Sequence, residues 1–120
     1  MTLPALTPPR AIALIALVMA SSFSAPSAMA AGDEVEVTVS IKDHKFEPAN
    51  VKVPAGKPVK LIVKNLDDTI EEFESKPLKF EKIVGGVTST TVRLQPLAKG
   101  SYGFFGEFHE ETAQGAVIAE

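Results

Sequence analysis

Two histidines, His44 and His109, and a few carboxylates carry whatever metal chemistry this chain has. His109 lies in the stretch YGFFGEFHEETAQG, residues 102–115, and Glu107 stands two positions before it, where an extended chain would turn both side chains to one side. Two further carboxylates, Glu71 and Glu72, follow the loop after Asn65. There is no cysteine, and Met1, Met19 and Met29 all fall within the first 30 residues. Beyond residue 30 the chain therefore offers only nitrogen and oxygen donors, which suit Cu(II), iron, manganese or zinc over Cu(I).

Other chemistries find no support. There is no G-x-S-x-G, no His and Ser paired in a suitable context, and no glycine loop that would cradle phosphate; VGGVTS, residues 84–89, reads as a hairpin turn between strands. The run HEE at His109–Glu111 lacks an H-E-x-x-H partner. No hydrolase signature is present, and hydrolytic catalysis is not expected.

Residues 1–30 read as a secretory signal: Arg10 gives the positive start, Ala11–Ala20 the apolar core, and Ala28–Ala30 (AMA) a small-residue cleavage site. The apolar run is too short to cross a bilayer, which takes about 20 such residues. Cleavage after Ala30 and export to the periplasm are expected, leaving residues 31–120 as one domain with a single core. Arg10 leaves with the signal, so that domain holds eleven basic against fifteen acidic residues, a net charge of −4. That sign argues against nucleic acid and anionic lipid as partners. With no cysteine for a disulfide, stability rests on packing, with help from any bound metal.

The elements that must position the donors are strands. EVEVTVSI (34–41) and NVKV (50–53) alternate polar and apolar with period two, and PVKLIVKN (58–65) is a longer apolar stretch, reached through the turn PAG at 54–56. IEEFES, KFEKIV, STTVRL and GAVIAE supply further strands, and no segment keeps a helical period. This many short strands in so short a domain predict an all-β fold, an antiparallel Greek-key β-sandwich. Of Phe104, Phe105 and Phe108, at least two are expected in the core and one as a shield over the site.

Three landmarks narrow the sandwich. Phe46–Asn65 (FEPANVKVPAGKPVKLIVKN) has an F-x-P start, alternating apolar positions, a Gly turn and a strand ending in Asn; the chain then closes with Tyr102, Phe104, His109 and Gly115 in the order of a metal-binding loop. This frame resembles the cupredoxins. The resemblance puts Gly106 at the family's cysteine, Ala113 at its axial methionine and Glu71 at its first histidine, so that of the four blue-copper ligands only His109 remains. It also implies that the loop bearing His44 lies at the metal end, where His44, His109, Glu107 and one of Glu71 or Glu72 would converge. A blue electron-transfer site needs a thiolate, and this chain has none to give.

The combination of EEFES (71–75), FFGEFH (104–109) and TAQG (112–115) further resembles small periplasmic cupredoxin-like proteins that accompany bacterial high-affinity iron permeases. What this implies is a transition metal, Cu(II) or iron, held by His44, Glu71, Glu72, Glu107 and His109, and a role beside an iron permease in ferrous-iron uptake, extending to Fe(II) oxidation. Two other readings are a metal-free interaction module on the same fold and a periplasmic Cu(II) chaperone.

Overall fold

The computed structural model describes residues 2–5 and 33–120. The core and cleavage point of the expected signal, within residues 6–32, lie outside the described residues. Nine strands follow in order: β1 (Val35–Lys42), β2 (Lys45–Glu47), β3 (Asn50–Val53), β4 (Val59–Asn65), β5 (Glu71–Ser75), β6 (Phe80–Val84), β7 (Ser89–Leu94), β8 (Gly100–Gly106) and β9 (Gln114–Ala119), with a 3-10 turn at Glu107–His109 between the last two. They form a four-stranded sheet, β2-β1-β4-β7, packed on a five-stranded one, β3-β9-β8-β5-β6.

The expected β-sandwich is present, but its sheets are mixed. β1 runs parallel to β4 and β3 parallel to β9, where antiparallel strands were expected throughout. Period-two alternation marks which face of a strand is buried; it carries no information on the direction of the neighbour. The parallel pairs arise because the chain leaves the first sheet after β2, visits the second at β3, and returns through the turn at Gly56 (φ 77°) to lie beside β1. Gly85 and Gly86 likewise do not close a hairpin: β6 pairs with β5 and β7 with β4, so VGGVTS is a corner between sheets.

Alternation fills the space between the sheets. Val39 and Ile41 of β1 and Val59, Leu61 and Val63 of β4 meet Phe73, Phe104 and Val117 from the other sheet, all buried. Phe46, Phe73 and Phe104 form an edge-on triad with ring centroids 4.9–5.5 Å apart. Of the three phenylalanines in the C-terminal stretch only Phe104 is core. Phe105 is half-buried, its ring 5.7 Å from the Lys76 ammonium, and Phe108 is 48% exposed.

Candidate metal centre

The aromatic triad sets the floor of the site. Side chains two residues further along a strand return to the same face, so one step from Phe73 toward the end of the sandwich is Glu71 and one step from Phe104 is Gly106, both buried. One step back from Phe46 is His44, at the tip of the β1–β2 hairpin. Strands β5 and β8 thus deliver their next positions to a single pole, and the hairpin tip carries His44 beside them.

Glu71 is 1% exposed and all of its contacts are donors. Its Oε1 accepts the backbone N–H of Glu72 (3.1 Å) and of Phe108 (3.0 Å), and its Oε2 accepts His109 Nδ1 at 2.5 Å. Three donors satisfy a carboxylate that would otherwise be costly to bury.

Gly106 shows why the pole is built this way. A Cβ on Gly106 would stand 2.7 Å from Glu71 Cδ and 2.8 Å from the Ala113 methyl. The space that a side chain at Gly106 would use is filled by the Glu71 carboxylate, and a small residue at 113 leaves room for both. The loop is then tied by backbone bonds, Gly106 N–H to Ala113 O and Ala113 N–H to His109 O, at 2.9 and 2.8 Å. The space of the thiolate position implied by the resemblance, at Gly106, is therefore occupied by a buried carboxylate, and a thiolate copper site does not fit here.

His44 reaches the pole by a different route. Register pairs Lys42 with Lys45, so the hairpin loop is the two residues Asp43 and His44, both with positive φ (52° and 58°). That is the backbone of a type I′ turn, normally left to Asn and Gly. Here Asp67 holds it: Oδ1 accepts the Asp43 N–H at 2.8 Å and Oδ2 the His44 N–H at 3.0 Å. The His44 backbone bond is the main reason the Asp67 carboxyl lies below its usual range. Buried Asn65 holds Asp67 in turn, its Oδ1 accepting the Asp67 N–H while its Nδ2 donates to the carbonyls of Thr69, Val84 and Gly85. His44 Nε2 meets Thr69 Oγ1 at 3.2 Å, and its ring stacks on that of His109, centroids 3.5 Å apart and planes at 12°.

The structure thus brings together His44, His109 and Glu71. Glu107 lines an open depression with both histidines, but it does not share a strand face with His109, because residues 107–109 form a 3-10 turn where an extended chain was expected. Glu72 is not brought to the pole. It points from the outer face of β5, where its carboxylate groups with those of Glu74 and Glu107, donor atoms within 4.8 Å of one another. On that half-buried face partial desolvation raises the Glu72 carboxyl above the usual range, and Glu107 and Glu81 add repulsion; Glu74 is raised likewise by desolvation and by Glu81 and Glu107. Asp67 and Thr69 were not singled out in the sequence, and nothing in local spacing marks a clamp that acts across 23 and 24 residues.

Toward a metal ion His109 would offer Nε2, His44 its imidazole and Glu107 its carboxylate, all lining one depression, although among the described residues the group whose donor atoms lie within 4.8 Å of one another is Glu72, Glu74 and Glu107. Among the described residues no hydrogen bond engages His109 Nε2 or His44 Nδ1. With ring planes nearly parallel, the nitrogen lone pairs run side by side, so a shared ion would require one ring to turn. His44, on its exposed hairpin and with one 3.2 Å bond, is the ring with less to hold it.

The chain matches the family described as the cupredoxin-like domain over residues 11–119. An uncharacterized protein of Rickettsia prowazekii (strain Madrid E) is 52% identical over 84 residues, which is 70% of this chain and 67% of that protein. In structure it is similar to the metal-binding domain of the Streptococcus pneumoniae D39 Cu(I)-exporting P-type ATPase CopA, with a TM-score of 0.62 at 12% identity over 73% of this chain and 87% of that one. It is equally similar to auracyanin A, a "blue" copper protein of Chloroflexus aurantiacus, with a TM-score of 0.62 at 14% identity over 72% and 99%. At such identities the likeness is one of fold.

Proposed function

The chain belongs to the cupredoxin-like domain family, and on that premise we propose that it is an exported transition-metal-binding protein whose site uses imidazole and carboxylate in place of sulfur. The observation that carries this reading is the meeting of the chain's two histidines, with rings 3.5 Å apart, beside Glu107 at one pole of the sandwich. His109 and His44 would hold the ion, with Glu107 at the rim. Copper is the metal named for the structural neighbours, and the hard donors here favour Cu(II) or iron over Cu(I). An acidic chain surface raises the local concentration of cations without choosing among them.

The finer reading places the protein in the periplasm beside an iron permease, assisting ferrous-iron uptake by holding iron or Cu(II). When bound, Cu(II) supplies a one-electron acceptor, which is what Fe(II) oxidation would need. The protein's own part is to fix one imidazole against a buried carboxylate, offer a second on a hairpin, and surround both with negative charge.

The test is titration of metal-free protein with Cu(II) and with Fe(III) under a weak competing chelator. One ion bound per chain is expected, without the intense visible absorption of a thiolate site; His109→Ala should abolish it and also lower the melting temperature, because the buried Glu71 carboxylate loses a partner, whereas His44→Ala should weaken binding with the melting temperature nearly unchanged. A parent protein that binds neither ion would overturn the reading. A metal-free interaction module would then stand first, supported by the face-to-face stacking of the two rings, which holds them without an ion.

A further inference from the structure

We infer that Glu71 is a positioning residue and not a ligand: its carboxylate fixes His109 as the Nδ1–H tautomer, so that the nitrogen presented to a metal ion is Nε2. The inference deepens the metal-binding reading and rests on it. It also reassigns a residue that the sequence placed among the ligands.

Three of the carboxylate's roughly four acceptor sites are already taken. One oxygen receives two backbone N–H groups and the other receives His109 Nδ1, at a position 1% exposed. Turning either oxygen toward an ion would leave buried donors of Phe108, Glu72 or His109 without an acceptor, a large penalty for a new bond that His44 or Glu107 can supply from the surface. The neutral imidazole has one proton, and holding it on Nδ1 leaves the lone pair on Nε2. A carboxylate behind the ring in this way fixes ring orientation at many metal-binding histidines.

The neighbours agree with this assignment. Nδ1 faces the buried carboxylate between the sheets, while the ring, with its side chain 25% exposed, lines the depression shared with His44 and Glu107. A metal ion held through the far nitrogen therefore sits outward of the volume that Glu71 and Gly106 have closed. The absence of a Cβ at Gly106 is part of the same device, since any larger residue would displace the carboxylate that orients the ring.

The experiment is long-range proton–nitrogen NMR of uniformly 15N-labelled protein at mildly alkaline pH, metal-free and then with Zn(II) as a diamagnetic probe. Metal-free, His109 should show a protonated Nδ1 and an unprotonated Nε2; the opposite tautomer would overturn the inference. With Zn(II), the Nε2 resonance should move while Nδ1 keeps its proton. A Zn(II) shift at Nδ1 would remove the inference and leave metal binding intact, whereas no shift at either nitrogen would remove the metal-binding reading and this inference with it. Glu71→Gln should blur the tautomer preference and weaken Zn(II) binding about tenfold. A folded Glu71→Gln protein with unchanged tautomer and affinity would show that the carboxylate does not position the ring.

Discussion

Glu71 and Glu72 are consecutive residues of β5, yet one is buried between the sheets with three donors and the other stands on the outer face among carboxylates. The inner carboxylate organises its surroundings: it fills the place of a side chain at Gly106, orients His109, and ties β5 to the turn that follows β8. The outer one is opposed by Glu107 and Glu81 and is raised above the usual carboxylate range by desolvation and that repulsion. Identical chemistry thus becomes structural on one face and a source of negative field on the other, and the side of the pleat decides which.

The comparison can be broken most severely at the buried member. Glu71→Leu leaves the N–H groups of Phe108, Glu72 and His109 without their acceptor and should cost about 3 kcal/mol or more. For a domain of this size that lowers Tm by about 10 °C or more, read by thermal denaturation. The same substitution at Glu72 should leave Tm within a few degrees. Equal losses at the two positions would mean that the buried hydrogen bonds carry no special weight.

Gly106→Cys restores a thiol and tests whether the carboxylate truly holds that space. Its Cβ would meet Glu71 Cδ at 2.7 Å, and a cost of about 2 kcal/mol is expected from overpacking. In a Glu71→Ser background the penalty should shrink, with a coupling of about 1 kcal/mol or more in the double-mutant cycle. Strict additivity would separate the two positions.

At the hairpin, Asp67→Ala frees the Asp43 and His44 amides and should cost about 1 kcal/mol, toward the lower end because the clamp is partly solvated. The pH sense follows from the direction of the shift. A carboxyl lowered chiefly by the His44 amide stabilises the folded state above the ordinary Asp value, and that contribution is lost as pH falls through the lowered one. The gap between parent and variant should therefore close in strong acid, as followed by chemical denaturation across pH.

The smallest effect belongs to the outer face. Glu72→Gln removes one member of the repelling group and should raise Tm by about 1–2 °C at neutral pH. Because the Glu72 carboxyl is raised in the folded state, the penalty is present at neutral pH and fades as pH falls through that raised range, so the variant's advantage should disappear in acid.

Much of this was legible in residue order. Alternation placed the strands, with NVKV matching β3 at both ends, and the same parity that buries Phe73 also buries Glu71. Parity in the strand IEEFES also turns Glu72 outward when Glu71 points in, a consequence that naming both as ligand candidates passed over. Strand direction was not legible, because a parallel and an antiparallel partner demand the same pattern of buried faces. Nor was the placement of Glu107, whose two-residue spacing from His109 means a shared face only in extended chain and not in the 3-10 turn the backbone makes there. The Asp67 clamp was invisible for a third reason: its partners are distant in sequence, and an aspartate in a polar loop looks the same whether it holds a hairpin or faces water.

The pairing of β3 with β9 has a consequence for the order in which the molecule assembles. Asn50–Val53 lies alongside Ala116–Ala119, so an early strand has no partner in its sheet until the last one arrives. Loop closure over such a span must precede the contacts that reward it, which places the domain among slow-folding β-topologies, in the range of about milliseconds to seconds. Until then β3 is a short strand with its hydrogen-bonding groups open and only Val51 and Val53 to bury. The five-stranded sheet that carries Glu71 and leads into His109 is consequently complete only once β9 has docked and β3 has joined its edge.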